Sequence, residues 1–195
     1  MKKNRMVLIA VLFLFGIGSA DNEDTNSFPK GQLVKNVPLI TTSGNGKALL
    51  KPNKLYYQPF NEFVDGWVLT GEWHIGKLPV DAGGGVALAS TRQAKYQAQL
   101  DSRSIGPMID LPRIDPSRQK LMLALREKYE IESSYDQGYL EVSIDDGASW
   151  ISIHGRSGKS DWCETLVDIS PFSGKTIRPA FRLLTDKSEE FSGWQ

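Results

Sequence analysis

Residues 139–153 combine two short apolar runs with an acidic turn that contains a glycine, in the order YLEVSI, DDGA and SWISI. Within this segment Ser143, Asp145, Gly147 and Trp150 fit the spacing S-x-D-x-G-x-[ST]-W. Ser or Asp at the start of a turn accepts hydrogen bonds from the backbone amides ahead of it, and glycine tolerates the positive φ of a tight turn. Trp150 then opens the return strand. The spacing therefore predicts a β-hairpin.

Short runs of alternating apolar residues follow one another through the rest of the chain, with Gly, Pro, Asp and Ser between them. The period of two is clear in Leu121, Leu123 and Leu125, and it is typical of a half-buried strand. The predicted strands are residues 66–70, 86–90, 94–100, 104–111, 120–129, 138–144, 150–154, 165–169 and 177–184. Many short strands at regular spacing predict an all-β fold, an antiparallel sandwich or barrel.

The first 20 residues have the form of a secretory signal peptide. Basic residues stand among the first five, residues 6–17 are an almost unbroken apolar run, and Gly18-Ser-Ala20 supplies the small residues of a cleavage site. The alternative is a retained N-terminal anchor, but the apolar run is short for a membrane span. We therefore expect the chain to be secreted or to reside in the cell envelope, with no membrane span once residues 1–20 are removed.

The pattern divides the chain into three parts. Residues 1–20 are the predicted signal peptide, residues 21–54 a linker or N-terminal extension, and residues 55–195 a single β domain of ordinary size. The middle part is polar at first and contains Ser43-Gly-Asn-Gly46, which is a strong loop signal.

Charge and cysteine content exclude several classes of protein. The whole chain carries 23 basic and 23 acidic residues, so it offers no basic field for nucleic acid and no polybasic patch for a membrane surface. Cys163 is the single cysteine, which leaves an exported domain of this chain without an internal disulfide. Its stability must then come from core burial or from a bound ion.

Further motifs occur in a fixed order along the chain. They are GWVLTGEWHI from residue 66, SIGPMIDL from residue 104, YEIE from residue 129, the hairpin, VDISPFSG from residue 167, IRPAFRLLTD from residue 177, and the pair Gly193-Trp194. Over residues 58–195 this ordered set resembles the MAM-like and immune-inhibitor-A-like modules of secreted bacterial peptidases and surface proteins. The resemblance implies a concanavalin-like, two-sheet antiparallel jelly-roll sandwich that serves as an accessory module.

The resemblance also exposes a departure at the end of the sequence. Modules of this kind continue after Gly-Trp with a further strand, whereas this sequence stops at Gln195. Either the domain is truncated at its C-terminus, or the edge strand comes from elsewhere, such as the N-terminal segment. An unpaired sheet edge favours aggregation, and we therefore expect a fragment of a longer protein.

Acidic residues provide the candidate metal ligands. Ca²⁺ prefers carboxylate and carbonyl oxygens, and an exported sandwich without disulfides would gain stability from binding it. The resemblance implies an ion held between the first and last strands, which indicates Glu62 and a partner expected beyond Gln195. Glu132, Asp136 and Asp186 are further candidates.

Aromatic residues near predicted loops form a candidate ligand-binding surface. Trp73, Tyr96, Tyr135 and Trp162 are placed where their rings would stack on a sugar. The function predicted from these features is a non-catalytic binding or accessory module that recognises a glycan or an extracellular protein, within a larger secreted peptidase or adhesin. A structural spacer severed from a secreted peptidase is another reading.

Two enzymatic functions are alternatives to that prediction. The hairpin resembles the Asp box of sialidases, but it occurs once, and 195 residues are too few for a sialidase propeller. A small glycan-active hydrolase is the alternative, because paired carboxylates such as Glu130, Glu132 and Asp136 hydrolyse glycosides at a suitable separation.

Overall fold

The computed structural model describes residues 10–16, 53–58, 60, 64, 66–77, 86–117 and 119–195. The strands, in chain order, are β1 (Ala10–Gly16), β2 (Asn53–Gln58), β3 (Val68–Leu69), β4 (His74–Lys77), β5 (Val86–Ala89), β6 (Asp101–Ile105), β7 (Ile109–Asp110), β8 (Gln119–Ile131), β9 (Gln137–Ser143), β10 (Ile151–Arg156), β11 (Gly158–Asp168), β12 (Thr176–Leu184) and β13 (Gly193–Trp194). A 3₁₀ turn, Ser170–Phe172, precedes β12. None of the helical structure in these residues is long and apolar enough to cross a membrane.

Two antiparallel sheets make up most of the fold. The first has the order β11-β8-β1-β2, and β13 also pairs with β8; the second has the order β10-β9-β12-β6-β3, and β7 also pairs with β12. A separate hairpin consists of β4 and β5. This arrangement confirms the predicted all-β, antiparallel sandwich.

The core lies between the inward faces of the two sheets, where the period-two pattern places apolar side chains. On β8 these are Leu121, Leu123 and Leu125, and on β12 they are Ile177, Phe181 and Leu183, all of them buried. Fully burying a side chain of this kind stabilises the fold by about 1.5–3 kcal/mol. The leucine alternation that predicts β8 is therefore the pattern that fills the core.

Phe181 is the centre of an aromatic cluster in this core. Its ring stacks on Trp67 with centroids 5.7 Å apart, meets Trp194 edge to face at 5.2 Å, and lies 6.1 Å from Phe60 and 6.2 Å from Trp73. Aromatic pairs of this geometry add about 0.5–1.5 kcal/mol each beyond the area they bury. Four rings from outside β12 thus converge on one side chain of β12.

The alternation in the sequence predicts a strand over residues 94–100, and that prediction is wrong. Its backbone forms hydrogen bonds with residues outside the strands and does not pair with a neighbouring strand. Tyr96 N donates to Phe191 O at 2.9 Å, and Leu100 N donates to Thr185 Oγ1 at 2.8 Å. Gln99 has a φ of 55°, which no strand residue adopts. The adjacent strand is β6, one residue beyond the predicted segment.

The predicted strand 104–111 is interrupted in the middle. β6 ends before Gly106-Pro107, and β7 resumes after them. Proline has no backbone N–H and cannot continue a ladder, while Gly106 N instead donates to Pro179 O at 2.7 Å. One predicted strand is therefore two short ones.

β1 joins the N-terminal segment to the first sheet. It pairs with β8 from Val11↔Ala124 to Gly16↔Gln119 and with β2 on its other side. The sequence predicts that the same residues belong to a cleaved leader, and cleavage and export stay predictions. Residues 21–52, most of the predicted linker, lie outside the described residues.

The hairpin between β9 and β10 has the hydrogen bonds that its spacing requires. Ser143 Oγ accepts from Gly147 N at 2.7 Å and from Asp145 N at 3.2 Å, and Asp145 Oδ1 accepts from Ser149 N at 2.9 Å. Gly147 has a φ of 94°, the left-handed region in which glycine is favoured. Trp150 precedes the return strand, which begins at Ile151.

Asp145 predicts an effect of pH on stability. Hydrogen bonds from Ser149 and Ser143 lower the pKa of Asp145 from 3.8 to about 2. A pKa lowered by folding stabilises the fold above the unfolded-state value, and that stabilisation is lost as the pH falls through the folded-state value. Between about pH 4 and pH 2 we expect the Tm of the parent to fall more steeply than that of Asp145→Asn in thermal melts.

The matched control for this prediction is Asp161→Asn, because the Asp161 side chain is 93% exposed. That variant should follow the parent at each pH. If the Tm of Asp145→Asn coincided with that of the parent from neutral pH to pH 2, the hydrogen bonds of Asp145 would not contribute to the stability of the fold.

Candidate metal centre

Three carboxylates from two distant segments meet at one end of the sandwich. Glu132 and Asp136 lie in the turn that joins β8 to β9, and Asp186 follows β12. Each offers a ligand oxygen, and these oxygens all lie within 4.8 Å of one another. We call these three residues the acidic cluster.

Strand pairing brings the cluster together. β9 and β12 are neighbours, with Gln137 opposite Leu184, so the residues just before β9 and just after β12 leave the sheet at the same end. Asp186 N donates to Asp136 Oδ1 at 2.7 Å. The long-range register of two strands therefore places Asp136 beside Asp186.

The backbone of Glu132 is held from both sides. Its N–H donates to the Tyr96 hydroxyl at 3.0 Å, and its carbonyl accepts from Ser157 Oγ at 2.9 Å. Ser134, in the same turn, has a φ of 73° and donates its N–H to Ser157 Oγ at 3.0 Å. The turn that presents Glu132 and Asp136 is therefore fixed by side chains from other elements.

Ser188 connects the outer two members of the cluster. Its hydroxyl lies 2.9 Å from Glu132 Oε2, and its N–H donates to Asp186 Oδ1 at 2.7 Å. The hydrogen bonds from Ser188 lower the pKa of Asp186. Sequence reasoning missed Ser188, although D-x-S is a known turn spacing in which Asp accepts from the amide two residues ahead.

Asp136 is the buried member, with 1% of its surface exposed. Its Oδ1 accepts from Asp186 N, but no described residue donates to Oδ2 with ordinary hydrogen-bond geometry. Tyr96 is the neighbouring donor, since burial and then a hydrogen bond to the Asp136 carboxylate raise the pKa of Tyr96. A buried carboxylate oxygen without a well-formed hydrogen bond is costly, and a cation would satisfy it.

The acidic cluster forms no ion pair in the part of the chain that the structure describes. No Lys, Arg or His there forms an ion pair with a member of the acidic cluster, whereas other carboxylates have close partners. Glu130, for example, lies 2.7 Å from Lys159 Nζ. Lys187 acts on Asp186 through its charge but forms no ion pair with it. Three mutually close carboxylates that no ion pair neutralises are suited to a divalent cation.

The carboxylates named for glycoside hydrolysis are closer together than an inverting enzyme requires. Inverting enzymes separate their two carboxyl groups by about 6.5–9.5 Å, whereas ligand oxygens of Glu132 and Asp136 lie within 4.8 Å of each other. Glu130 binds Lys159 and accepts from Ser192 at 2.9 Å. The geometry therefore gives no support to an inverting hydrolase, and Glu130 is engaged by other side chains.

The four candidate aromatic residues do not form the predicted surface. Trp73 and Tyr96 are each 1% exposed, so neither ring can stack on a sugar, and this is a correction to the expectation that they are near a loop surface. Trp162 is half-buried with the Arg126 guanidinium 5.7 Å from its ring centroid. Tyr135 is 68% exposed and lies in the same turn as Glu132 and Asp136.

Glu62, the candidate that the resemblance implied, lies outside the described residues. A scan against models of known protein families and a search of curated proteins both find no match to this chain. The likeness to MAM-like and immune-inhibitor-A-like modules therefore stays a prediction from the ordered motifs.

Proposed function

We propose that this chain is an exported, non-catalytic β-sandwich module that binds Ca²⁺ through Glu132, Asp136 and Asp186 and recognises a glycan or an extracellular protein. One observation carries the proposal: Asp136 Oδ2 is buried, accepts no hydrogen bond of ordinary geometry from the described residues, and lies in a cluster of three carboxylates that form no ion pair with them. Export rests on the leader-like residues 1–20, and the accessory role on the resemblance.

Calcium fits the donor set better than zinc or magnesium. The cluster consists of hard carboxylate oxygens, while the nitrogen and sulfur ligands that zinc prefers are absent from it. Ca²⁺ takes six to eight oxygens in flexible geometry, and magnesium demands a near-ideal octahedron. Three carboxylates supply the charge, and their second oxygens, the Ser188 hydroxyl and water can complete the shell.

The ion would act on the surface that carries the exposed aromatic ring. Tyr135 stands between Glu132 and Asp136 in sequence, so a cation held by both carboxylates would add to the hydrogen bonds that already hold the turn presenting Tyr135. An aromatic side chain that is 68% exposed is a common component of recognition surfaces. Calcium binding and ligand recognition are therefore assigned to the same turn.

Calcium should raise the thermal stability of the chain. A ligand at 100 times its Kd adds about 2.7 kcal/mol, which corresponds to a rise in Tm of about 5–10 °C for a chain of this size. We expect this shift on adding CaCl₂ to chelator-treated protein, and a binding isotherm in titration calorimetry. Asp136→Asn should lose both.

The control is Glu190→Gln, which removes an exposed carboxylate close in sequence to Asp186 but outside the acidic cluster. This variant should keep the calcium shift of the parent. A parent Tm that is the same in CaCl₂ and in chelator, with no heat of binding, would overturn the calcium site.

A further inference from the structure

Two separate segments of the chain lie along the same edge of β8. β13 pairs there through Gly193↔Glu130 and Trp194↔Tyr129, and β1 pairs through positions from Ala124 to Gln119. Both run antiparallel to β8 and therefore in the same direction. β11 occupies the opposite edge of β8. β1 thus continues, farther along the edge, the line that β13 begins.

The end of β13 is in register with this edge. Gln195 exchanges two backbone hydrogen bonds with Lys128, each 2.8 Å long. Val11, the first residue of β1 that pairs with β8, lies opposite Ala124. Positions 125–127 of β8 separate the two paired stretches, so antiparallel pairing on this edge covers positions 119–124 and 128–130.

β1 is also the only described link between β2 and β8. β2 pairs with β1 from Ala10↔Gln58 to Leu14↔Asn53, and it pairs with no other described strand. Neighbouring strands lie about 4.8 Å apart, so removal of β1 leaves a gap one strand wide with unpaired N–H and C=O groups on both sides. We call this gap, bounded by β8 and β2, the strand slot.

The side chains of β8 and β2 that border the strand slot on its core side are apolar. Leu12 lies opposite Leu123 of β8 and Tyr56 of β2, which are 5% and 4% exposed, and Leu121 beside them is fully buried. Without a strand in the slot these side chains would lose part of their cover. An occupant must therefore be apolar as well as extended.

We infer that the strand slot is a binding site for one extended apolar segment of a partner polypeptide, which enters antiparallel to β8 once residues 1–20 are removed. The sequence of β1, AVLFLFG, indicates which kind of segment fits the strand slot, because it is apolar and contains no proline and no charged residue. The main-chain bonds of strand addition supply the affinity and the apolar walls supply the selectivity. The inference rests on the export part of the proposed function and is independent of the calcium site.

The test begins with the intact chain, so it does not require residues 21–195 to fold alone. A protease recognition sequence is placed within residues 21–30 of a Cys163→Ser, Ala124→Cys chain, which is folded first and then cut. A peptide of residues 1–18 with Val11→Cys is added under oxidising conditions. Because Val11 pairs with Ala124, we expect a disulfide between the peptide and the chain.

Two matched controls fix the site and the mode of binding. Leu166→Cys replaces Ala124→Cys in the first, because Leu166 pairs with Ala124 from the β11 side and is 58% exposed, so random collision would favour it. The second uses a peptide with Phe13→Pro, since proline is not tolerated in a central strand. Each control should cross-link about tenfold less than the matched pair, as strand addition requires.

Equal cross-linking at positions 124 and 166 would overturn the inference. A cut chain that keeps its own N-terminal fragment and does not exchange it for the peptide would also overturn the inference, because β1 would then be a permanent strand of this chain. The same holds for a cut chain that unfolds and does not refold when the peptide is added. Loss of the calcium response with these cross-links intact would instead contradict only the proposed metal site.

Discussion

Replacement of Glu127 by alanine should lower the free energy of unfolding by about 3–5 kcal/mol, since removing one partner leaves a buried charge uncompensated. Glu127 is 0% exposed and lies on the inward face of β8. Its Oε1 accepts from Arg156 Nε at 2.9 Å and from the Thr165 hydroxyl, and its Oε2 accepts from Trp194 Nε1 at 2.8 Å. Alanine would leave the Arg156 guanidinium and the Trp194 indole N–H without this acceptor. Urea unfolding measures the loss.

The hydrogen bonds of Glu127 form a network that explains why losing this one carboxylate should lower the stability so strongly. Glu127 and Thr165 belong to the first sheet, Arg156 ends β10 of the second, and Trp194 belongs to β13. The carboxylate therefore ties both sheets and the last described strand together. Low local dielectric strengthens such a network when it is complete and penalises it when one member is removed.

Two variants separate this role from a general effect of losing an acidic side chain. Glu130→Ala removes a carboxylate from the outer face of the same strand, where Glu130 pairs with exposed Lys159, and it should cost less than about 1 kcal/mol. The double variant Glu127→Leu, Arg156→Met should be more stable than Glu127→Ala, because it removes both charges. Equal losses of unfolding free energy for Glu127→Ala and Glu130→Ala would contradict the stabilising role of the Glu127 hydrogen bonds.

The burial of Glu127 could have been predicted from the sequence. The alternation that starts at Leu121, Leu123 and Leu125 continues to position 127, so parity alone assigns Glu127 to the core face. Its neighbours Arg126 and Lys128 make the local sequence polar, and this obscures the pattern. What the sequence does not show is the compensation, because Arg156 and Trp194 reach Glu127 only through the pairing of distant strands.

The acidic cluster shows the same division between local and long-range information. Glu132 and Asp136 share one turn, and sequence reasoning selected both as candidate ligands. Their proximity to Asp186 depends on the pairing of β9 with β12, about 50 residues apart in the chain, which no local pattern specifies. The turn at Ser143–Ser149 is the opposite case, since the hydrogen bonds that Ser143 Oγ and Asp145 Oδ1 accept from backbone amides join residues within four positions of one another.

Aromatic residues were the least predictable part. Trp73 follows a glycine-containing turn, which suggested an exposed ring, and Tyr96 lies in a segment without regular structure. The structure buries both because distant elements cover them, as Phe181 of β12 covers Trp73. Exposure of a large ring is a property of tertiary packing, and proximity to a predicted turn does not determine it.

Trp73→Ala should lower the free energy of unfolding by about 3–5 kcal/mol, the usual cost of truncating a buried large aromatic side chain. Trp73 is 1% exposed, its Nε1 donates to Ser102 O at 3.2 Å, and its ring lies 6.2 Å from Phe181 and 6.4 Å from Trp194. The substitution leaves a cavity in the aromatic cluster and removes the hydrogen bond to the Ser102 carbonyl. Urea unfolding followed by tryptophan fluorescence measures the change.

Tyr135→Ala is the matched aromatic control, because Tyr135 is 68% exposed and surface substitutions usually change stability by less than about 0.5 kcal/mol. In the presence of Ca²⁺ it should weaken binding on glycan and protein arrays while Tm stays at the parent value. Trp73→Ala should instead lose binding only in proportion to the fraction unfolded. Since the Trp73 ring is inside the sandwich and the Tyr135 ring is outside it, a Trp73→Ala chain with the parent's stability and no binding would contradict the packing described above.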